Sequence, residues 1–395
     1  MKKLSILLLA FGLLFTSCER QLEIESVASL NANAPLSTED VDKLLTGAYK
    51  IVMEPSRYPY FNIMAPEVMA DNFKPVKFQF VQLQYLFEHV VPPGDLLLSY
   101  YYKDFYTAIA RANTIIKVPT ATPAQIGKAK YVRALSYLRL HDLYEGVPLV
   151  DENYVSGSIA PSTKAQVLDF IITDLKAAKA SIEPLNATNS STAQLTPTKE
   201  ASQALLARVL RIKGDIAAAG VEAEELINSG KFSISANPKE NSSEVILKFA
   251  GNVAEKNGWW GWIMSYDAKT WNCFAVADDL LALVSPNDTR RSLFDIEQAP
   301  STGNFVFSNK YSRSDDSDLL ISRIPEMYLI SAEAGNTARL AELQSIRHSN
   351  LSLDDERRLE LSFEWVRWSD LKLKGETYKL PFPQGAVDAN DLLEN

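Results

Sequence analysis

The sequence predicts an all-α fold, a tetratricopeptide-like scaffold of helical repeats that carries long irregular insertions and a few short strands. Three observations predict it. Apolar stripes of helical period recur through most of the chain. Residues 199–213 and 215–229 read as two helices joined by a tight turn at Gly214-Asp215, close to the about 34 residues of one tetratricopeptide repeat. A second such pair is expected at 323–334 and 337–348. Two stretches, 57–95 and 241–320, break this period and gather prolines, glycines and aromatic residues instead.

The chain opens with Met1-Lys2-Lys3 and an apolar run from Leu4 to Phe15, followed by Thr16-Ser17-Cys18. A charged start and a short apolar core mark a secretory signal, too short to span a bilayer comfortably as a helix. Small residues just before a cysteine are what lipoprotein processing requires. Residues 1–17 are therefore expected to be a signal peptide, Cys18 the lipid attachment site, and 18–36 a polar tether. A diacylated cysteine carries enough chains for stable anchoring. The other cysteine, Cys273, lies in an apolar-aromatic stretch and is expected to be a buried structural thiol.

The domain proper is expected to span 37–395. Ser37 and Thr38 before Glu39 and Asp40 form a helix start, and Val41, Leu44, Leu45, Ala48 and Val52 make one stripe that ends by Pro55. From Arg57 to Asp95 prolines at 59, 66, 75, 92 and 93 interrupt any long helix, and Phe78, Phe80, Leu83, Tyr85 and Phe87 suggest short extended pieces. Helical stripes return with Phe105, Ile109, Ala112 and Ile116, with Tyr131, Leu135 and Leu138, and with Ile171, Leu175, Ala178 and Ile182. Val245, Leu247 and Phe249 alternate as a short strand does. A last helix is expected over 354–373, and an extended tail from Leu380 to Asn395.

The chain holds 40 basic and 49 acidic residues; loss of Lys2 and Lys3 with the signal leaves 38 against 49, a net charge of −11. An acidic chain without a basic cluster argues against nucleic acid as a partner and against an electrostatic membrane patch. His89, His141 and His348 are scattered without metal-ligand spacing, and neither a phosphate-binding glycine loop nor a nucleophile elbow is present. No metal or cofactor is expected. Glu356, Glu360 and Glu364 recur at i, i+4, i+8, but Arg357, Arg358 and Arg367 beside them point to structural ion pairs rather than acid–base chemistry. A binding protein is expected, not an enzyme.

Several blocks in order resemble the SusD/RagB family of outer-membrane nutrient-binding lipoproteins of the Bacteroidetes. FYTAIARANTII carries Arg111, Ala112 and Asn113. KAKYVRALSYLRLHDLYEGVPLV carries Arg133, Ala134, Tyr137, Leu138, Tyr144, Gly146, Pro148 and Leu149. PTKEASQALLARVLRIKGD is similar through Ala204 to Arg208 and Gly214-Asp215, and IPEMYLISAEA through Glu326, Tyr328 and Glu333. DDERRLELSFEWVRWSDLK is similar through Glu356, Arg357, Glu360, Glu364, Arg367 and Asp370, and the closing segment through Pro381, Pro383, Asn390 and Asn395. Trp365-Val366 replaces a usual glycine-containing pair, and Ala334 to Leu351 is short for the family. The resemblance implies a SusD-like helical fold that lids a SusC-like TonB-dependent transporter, captures oligosaccharide (or peptide, in some members) and hands it on. It also implies an outer-membrane location and a ligand site built from the insertions rather than the helices.

Four of the six tryptophans, Trp259, Trp260, Trp262 and Trp271, fall with Tyr266 in one glycine-flanked segment. Sugar rings present C–H faces that stack on aromatic rings, while Asn252, Asn257 and Asp267 could orient hydroxyls. The same tryptophans would equally suit a core or the face toward the transporter. The first insertion offers Tyr58, Tyr60, Phe61, Asp71 and Asn72. The two insertions are expected to lie together on one side of the scaffold.

Overall fold

The computed structural model describes residues 36–53, 59–76, 78, 80–186, 195–236, 238, 243–250, 274–297, 305–311 and 317–395, with only the backbone at 53 and 59–63. In chain order the elements are α1 (Thr38–Met53), α2 (Pro59–Val68), β1 (Phe73–Pro75), α3 (Val81–Phe87), α4 (Leu96–Ile116), α5 (Pro123–Tyr144), α6 (Lys164–Ser181), α7 (Lys199–Lys213) and α8 (Ile216–Asn228). There follow β2 (Val245–Phe249), β3 (Phe274–Val276), α9 (Asp278–Leu281), β4 (Leu319–Arg323), α10 (Ile324–Glu333), α11 (Thr337–Arg347), α12 (Leu353–Glu360), α13 (Arg367–Leu373) and α14 (Gln384–Ala389).

The helix starts are written in the sequence. Ser37 and Asp40 cap α1 reciprocally, and Thr122 with Gln125 and Thr163 with Gln166 form capping boxes on α5 and α6. Thr198 opens α7, and Gly214, at φ 90°, closes it in the left-handed region before Asp215 caps α8. Packing runs along a chain of neighbours: α1 on α4, α4 on α5, α5 on α6, α6 on α7, α7 on α8, α8 on α10 and α10 on α11. The two helix pairs expected at 199–229 and 323–348 are both present. α5 lies between two neighbours and from Tyr131 to Leu140 is buried on every face, with Tyr131, Leu135 and Leu138 nearly solvent-free. One apolar core runs from Val41 to Leu393.

Three local expectations need correction. Residues 81–87 form a helix, not extended pieces, because Leu83 and Leu86 turn to one buried face. The expected helix over 354–373 is interrupted: α12 ends at Glu360, and Phe363 and Trp365 take φ of 65° and 66° before α13 begins. The tail is not wholly extended, since 384–389 is helical. It is pinned by Leu380 N–H to the Leu143 carbonyl (2.8 Å), and by Phe382 stacked on Tyr144 at 5.7 Å. Asn395 bonds both backbone groups of Phe382.

Among the described residues, one small antiparallel sheet ties the two insertions together and another joins the two ends of the second insertion. β1 pairs with β3, Phe73 opposite Val276 and Pro75 opposite Phe274. β2 pairs with β4 across a register irregularity, Val245 opposite Arg323 and Phe249 opposite Leu319. β2 is the strand expected from the alternation at 245–249, yet all five of its residues are buried. It has apolar contacts on both faces rather than one.

Candidate functional site

The described parts of the two insertions meet where β1 and β3 pair. Phe73 stacks on Phe274 at 5.2 Å and on Phe363 at 5.0 Å, while Phe78 and Phe87 approach Phe274 at 6.2 and 6.3 Å. These rings form an aromatic floor under the junction. Directly beside it, the turn after α2 carries Asp71 and Asn72. Arg367 of α13 donates two 2.6 Å bonds to the two carboxylate oxygens of Asp71. Arg358 of α12 donates to the Asp71 carbonyl (2.7 Å), to Asn72 Oδ1 (3.2 Å) and to both oxygens of Asp279 (2.9 and 3.2 Å). Burial opposes ionisation of Asp71, but the Arg367 bonds outweigh it and keep the carboxyl below its usual range.

Glu67, the penultimate residue of α2, explains the break between α12 and α13. Its oxygens accept the backbone N–H of Phe363 (2.9 Å) and of Trp365 (3.1 Å), and the Asn72 amide (2.7 Å). Positive φ at Phe363 and Trp365 accompanies two N–H groups that converge on one carboxylate. Complete burial still raises the Glu67 carboxyl above its usual range, despite those three bonds.

Behind the junction sits a buried ionic network. Arg323 reaches Glu244 (2.6 Å), Glu360 (3.0 Å) and Glu364. Arg347 reaches Glu244 (2.7 Å) and Glu360 (2.9 Å). Arg290 reaches Asp288 (2.7 Å), Glu356 (2.6 Å) and Glu360 (3.2 Å). Lys310 pairs with Glu364 and donates to the carbonyls of Glu360 and Ser362. The carboxylate row at 356, 360 and 364 is thus structural, as its arginine neighbours suggested. Burial would raise the Glu360 carboxyl, but Arg347, Arg323 and Arg290 overcome this and hold it well below the ordinary range. A carboxylate fixed in its ionised form by several cations is poorly suited to pass a proton back and forth near neutral pH.

The sequence-expected site residues divide by what the structure describes. Asn72 is fully buried, with its amide group committed to Glu67 and Arg358. It is a structural residue rather than a ligand contact, because its hydrogen-bonding groups are already engaged inside the protein. Asp71 keeps 40% side-chain exposure at the edge of the junction. Tyr60 lies in α2, and its side chain, like that of Phe61, is outside the described residues. Tyr58, Trp259, Trp260, Trp262, Tyr266 and Trp271 also lie outside them, as do Asn252, Asn257, Asp267, Cys18 and Cys273. Arg358, Asp279 and Glu67 were not singled out as site-forming. Arg358 was visible only as a neighbour of the carboxylate row, and its partners stand 79 and 286 or more positions away. A cleft of about 340 Å³, lined among others by His141, Lys164, Leu168, Ile212 and Lys372, opens on the scaffold and takes no residue from either insertion.

Comparison with known proteins agrees with this architecture. A SusD-like family model described as "Starch-binding associating with outer membrane" matches residues 22–210. The SusD-like protein P38 of Formosa agariphila is 27% identical over 244 residues, which cover 60% of this chain and 47% of that protein. The match therefore spans about half the length of this curated relative. A SusD superfamily protein from Bacteroides thetaiotaomicron superposes with a TM-score of 0.76 at 19% identity, over 91% of this chain and 99% of the other. Residues 22–210 thus resemble the SusD-like family, and the chain shares the fold of SusD superfamily structures. Its helical scaffold is the tetratricopeptide-like architecture of the SusD superfamily. Two further SusD-fold structures share it: a laminarin-binding SusD-like protein (TM-score 0.74, 18% identity, 90% and 98% coverage) and surface glycan-binding protein A of B. thetaiotaomicron in complex with laminarihexaose (0.73, 18%, 90% and 98%). Among the described residues, no helix is long and apolar enough to cross a membrane.

Proposed function

We propose that this protein is a lipid-anchored binding lipoprotein of the outer membrane that captures an oligosaccharide at the joined insertions and passes it to a SusC-like TonB-dependent transporter. The observation that carries the reading is the sharing of one fold, over 90% of the chain, with a laminarin-binding relative and with a glycan-binding protein complexed with laminarihexaose. The family model's association with the outer membrane and the Cys18 signal support the location. Binding without turnover agrees with the buried Glu360 and Glu364, which neighbouring cations hold ionised. In this reading Trp259, Trp260, Trp262, Trp271, Tyr266, Tyr58 and Tyr60 stack on sugar rings, and Asp71 lies at the rim. Each stacked ring contributes roughly 0.5–1.5 kcal/mol, so affinity is on the order of micromolar or weaker, which suits a protein that hands its cargo on.

The test sets a glycan array containing laminarihexaose beside a peptide pool, with the mature wild-type protein and the single variants W259A, W260A and W262A. Glycan binding that weakens in the variants at unchanged thermal midpoint supports the reading. Peptide binding alone would move the ligand class to peptides. Silence on both would leave a lid without its own ligand. Variants destabilised by the ~3–5 kcal/mol expected for a buried tryptophan would place those rings in the core. Replacement of Cys18 by Ala should abolish lipid labelling and release soluble protein. Continued outer-membrane fractionation of that variant without the transporter would refute the anchor.

A further inference from the structure

We infer that Arg358 is a positioning residue for the ligand site: its guanidinium, together with the β1–β3 pairing, fixes the two insertions relative to each other before ligand arrives. The inference rests on the insertions forming that site. In the chain Asp71 comes 11 positions after Tyr60 and Asp279 comes 8 positions after Trp271, so each anchor point follows candidate aromatic residues in the sequence. Arg358 reaches both. Nη1 donates to Asp279 Oδ2 at 2.9 Å, Nη2 to Asp279 Oδ1 at 3.2 Å and to the Asp71 carbonyl at 2.7 Å, and Nε to Asn72 Oδ1 at 3.2 Å.

All three nitrogens are thus in use, and a planar fork is needed, since one lysine ammonium cannot satisfy acceptors on both insertions with this geometry. The arginine side chain is only 10% exposed, so its bonds are shielded on that side, whereas Asp279 is 67% exposed. The two ends of the clamp are unequal. The first insertion is held independently, by Arg367 on the Asp71 carboxylate and by Glu67 on the Asn72 amide. The second depends on Asp279, on the neighbouring Lys74–Asp278 pair at 2.5 Å, on the three residue pairs of β1–β3, on the Ala277 N–H bond to the Asn72 carbonyl (2.9 Å) and on the Phe73–Phe274 stack. The scaffold therefore dictates where the first insertion lies, and Arg358 acts with these contacts to transmit that position to the second. A site held in its binding geometry in advance avoids the ordering cost on binding.

If loss of the clamp reduces the competent fraction to about one tenth, apparent Kd rises about tenfold. The test uses the full mature chain with R358M, R358K, D279N and the D279N/R358M double variant. Hydrogen exchange is followed on peptides covering 71–76 and 274–281, with α5 and α6 as internal reference. The clamp predicts faster exchange at 274–281 in R358M, R358K and D279N alike, a smaller rise at 71–76 in the two Arg358 variants, and an unchanged reference. It also predicts a double variant no worse than R358M alone. Exchange at 274–281 unchanged in D279N, or additive effects in the double variant, would overturn it. Laminarihexaose titration separates this from the functional reading. Weaker binding in step with the exchange extends the clamp to the ligand site. Loosened exchange with unaltered laminarihexaose affinity would overturn the positioning role, while absence of binding to the wild type would count against the glycan reading instead and leave the exchange result to decide the clamp.

Discussion

Arg323 has no solvent exposure and touches three carboxylates, those of Glu244, Glu360 and Glu364. The cost of bringing so many charges out of water is offset only while each keeps its partners. Replacement of Arg323 by Met leaves three buried carboxylates short of a cation, and should destabilise the fold by about 3–5 kcal/mol in urea denaturation. A loss below about 1 kcal/mol would show that the network relaxes or admits water. Trp365 poses the opposite problem, a large side chain in a backbone conformation that suits glycine. Its φ is 66°, its exposure 1%, and its indole N–H donates to the Leu320 carbonyl at 3.2 Å. Trp365→Gly regains about 1 kcal/mol of backbone strain but forfeits roughly 3–5 kcal/mol of buried indole, a net loss of about 2–4 kcal/mol by the same measurement. The departure at 365–366 from the family's glycine-containing pair was legible in the sequence, but not its compensation. The partners that make it tolerable, Glu67 and Leu320, stand 298 and 45 positions away.

At the level of elements, the helices were readable because caps and apolar stripes are local signals, and the pairs at 199–229 and 323–348 appear with nearly their expected bounds. The break after α12 was not, since residues 354–373 keep the composition of a helix while Glu67 captures two backbone N–H groups from outside it. Residues 81–87 misled for a related reason: clustered aromatics suit either strand or helix, and only packing decides. Close helix approach can reverse an ordinary substitution rule in the same way. Gly127 lies inside α5, where alanine normally gains about 1 kcal/mol in helix propensity. Here a Cβ would meet Ser181 Oγ at 2.5 Å and Ile182 Cγ1 at 2.8 Å, at the end of α6. Gly127→Ala should therefore cost about 1–3 kcal/mol through overpacking between α5 and α6, despite its better propensity. A stabilised variant in chemical denaturation would mean that Ser181 and Ile182 rotate away without cost.

For the whole molecule, the insertions are not loops added to a finished scaffold. β2 and β4 bring Glu244 and Arg323 into the same buried network that α12 supplies with Glu356 and Glu360, so insertion and scaffold share one ionic centre. The aromatic content of the insertions was legible in the sequence; which strands join them depends on pairings between residues about 200 positions apart. This shared centre gives the molecule a defined acid response. In Glu360, Glu364 and Asp370 burial opposes ionisation, but nearby arginines, with Lys310 beside Glu364, prevail and depress all three carboxyls below their usual values of 4.5, 4.5 and 3.8. A folded value below the unfolded one means that the native state releases those protons more readily. The resulting stability is complete above the unfolded values and is lost as pH falls through the folded ones. Glu67 works in the other direction, because burial raises its carboxyl in the native state and protonation there favours the fold. Burial raises Asp174 as well, but these two stand against the three depressed carboxyls and others such as Asp71 and Asp279, which leaves the acid-labile contribution dominant. The thermal midpoint should hold nearly level from about pH 7 to 5 and fall between about pH 5 and 3. In E360Q the midpoint should be lower at neutral pH, and its fall toward pH 3 shallower, because one of the depressed carboxyls no longer titrates. Equal slopes in E360Q and wild type would assign the acid response to exposed carboxylates rather than to the buried centre.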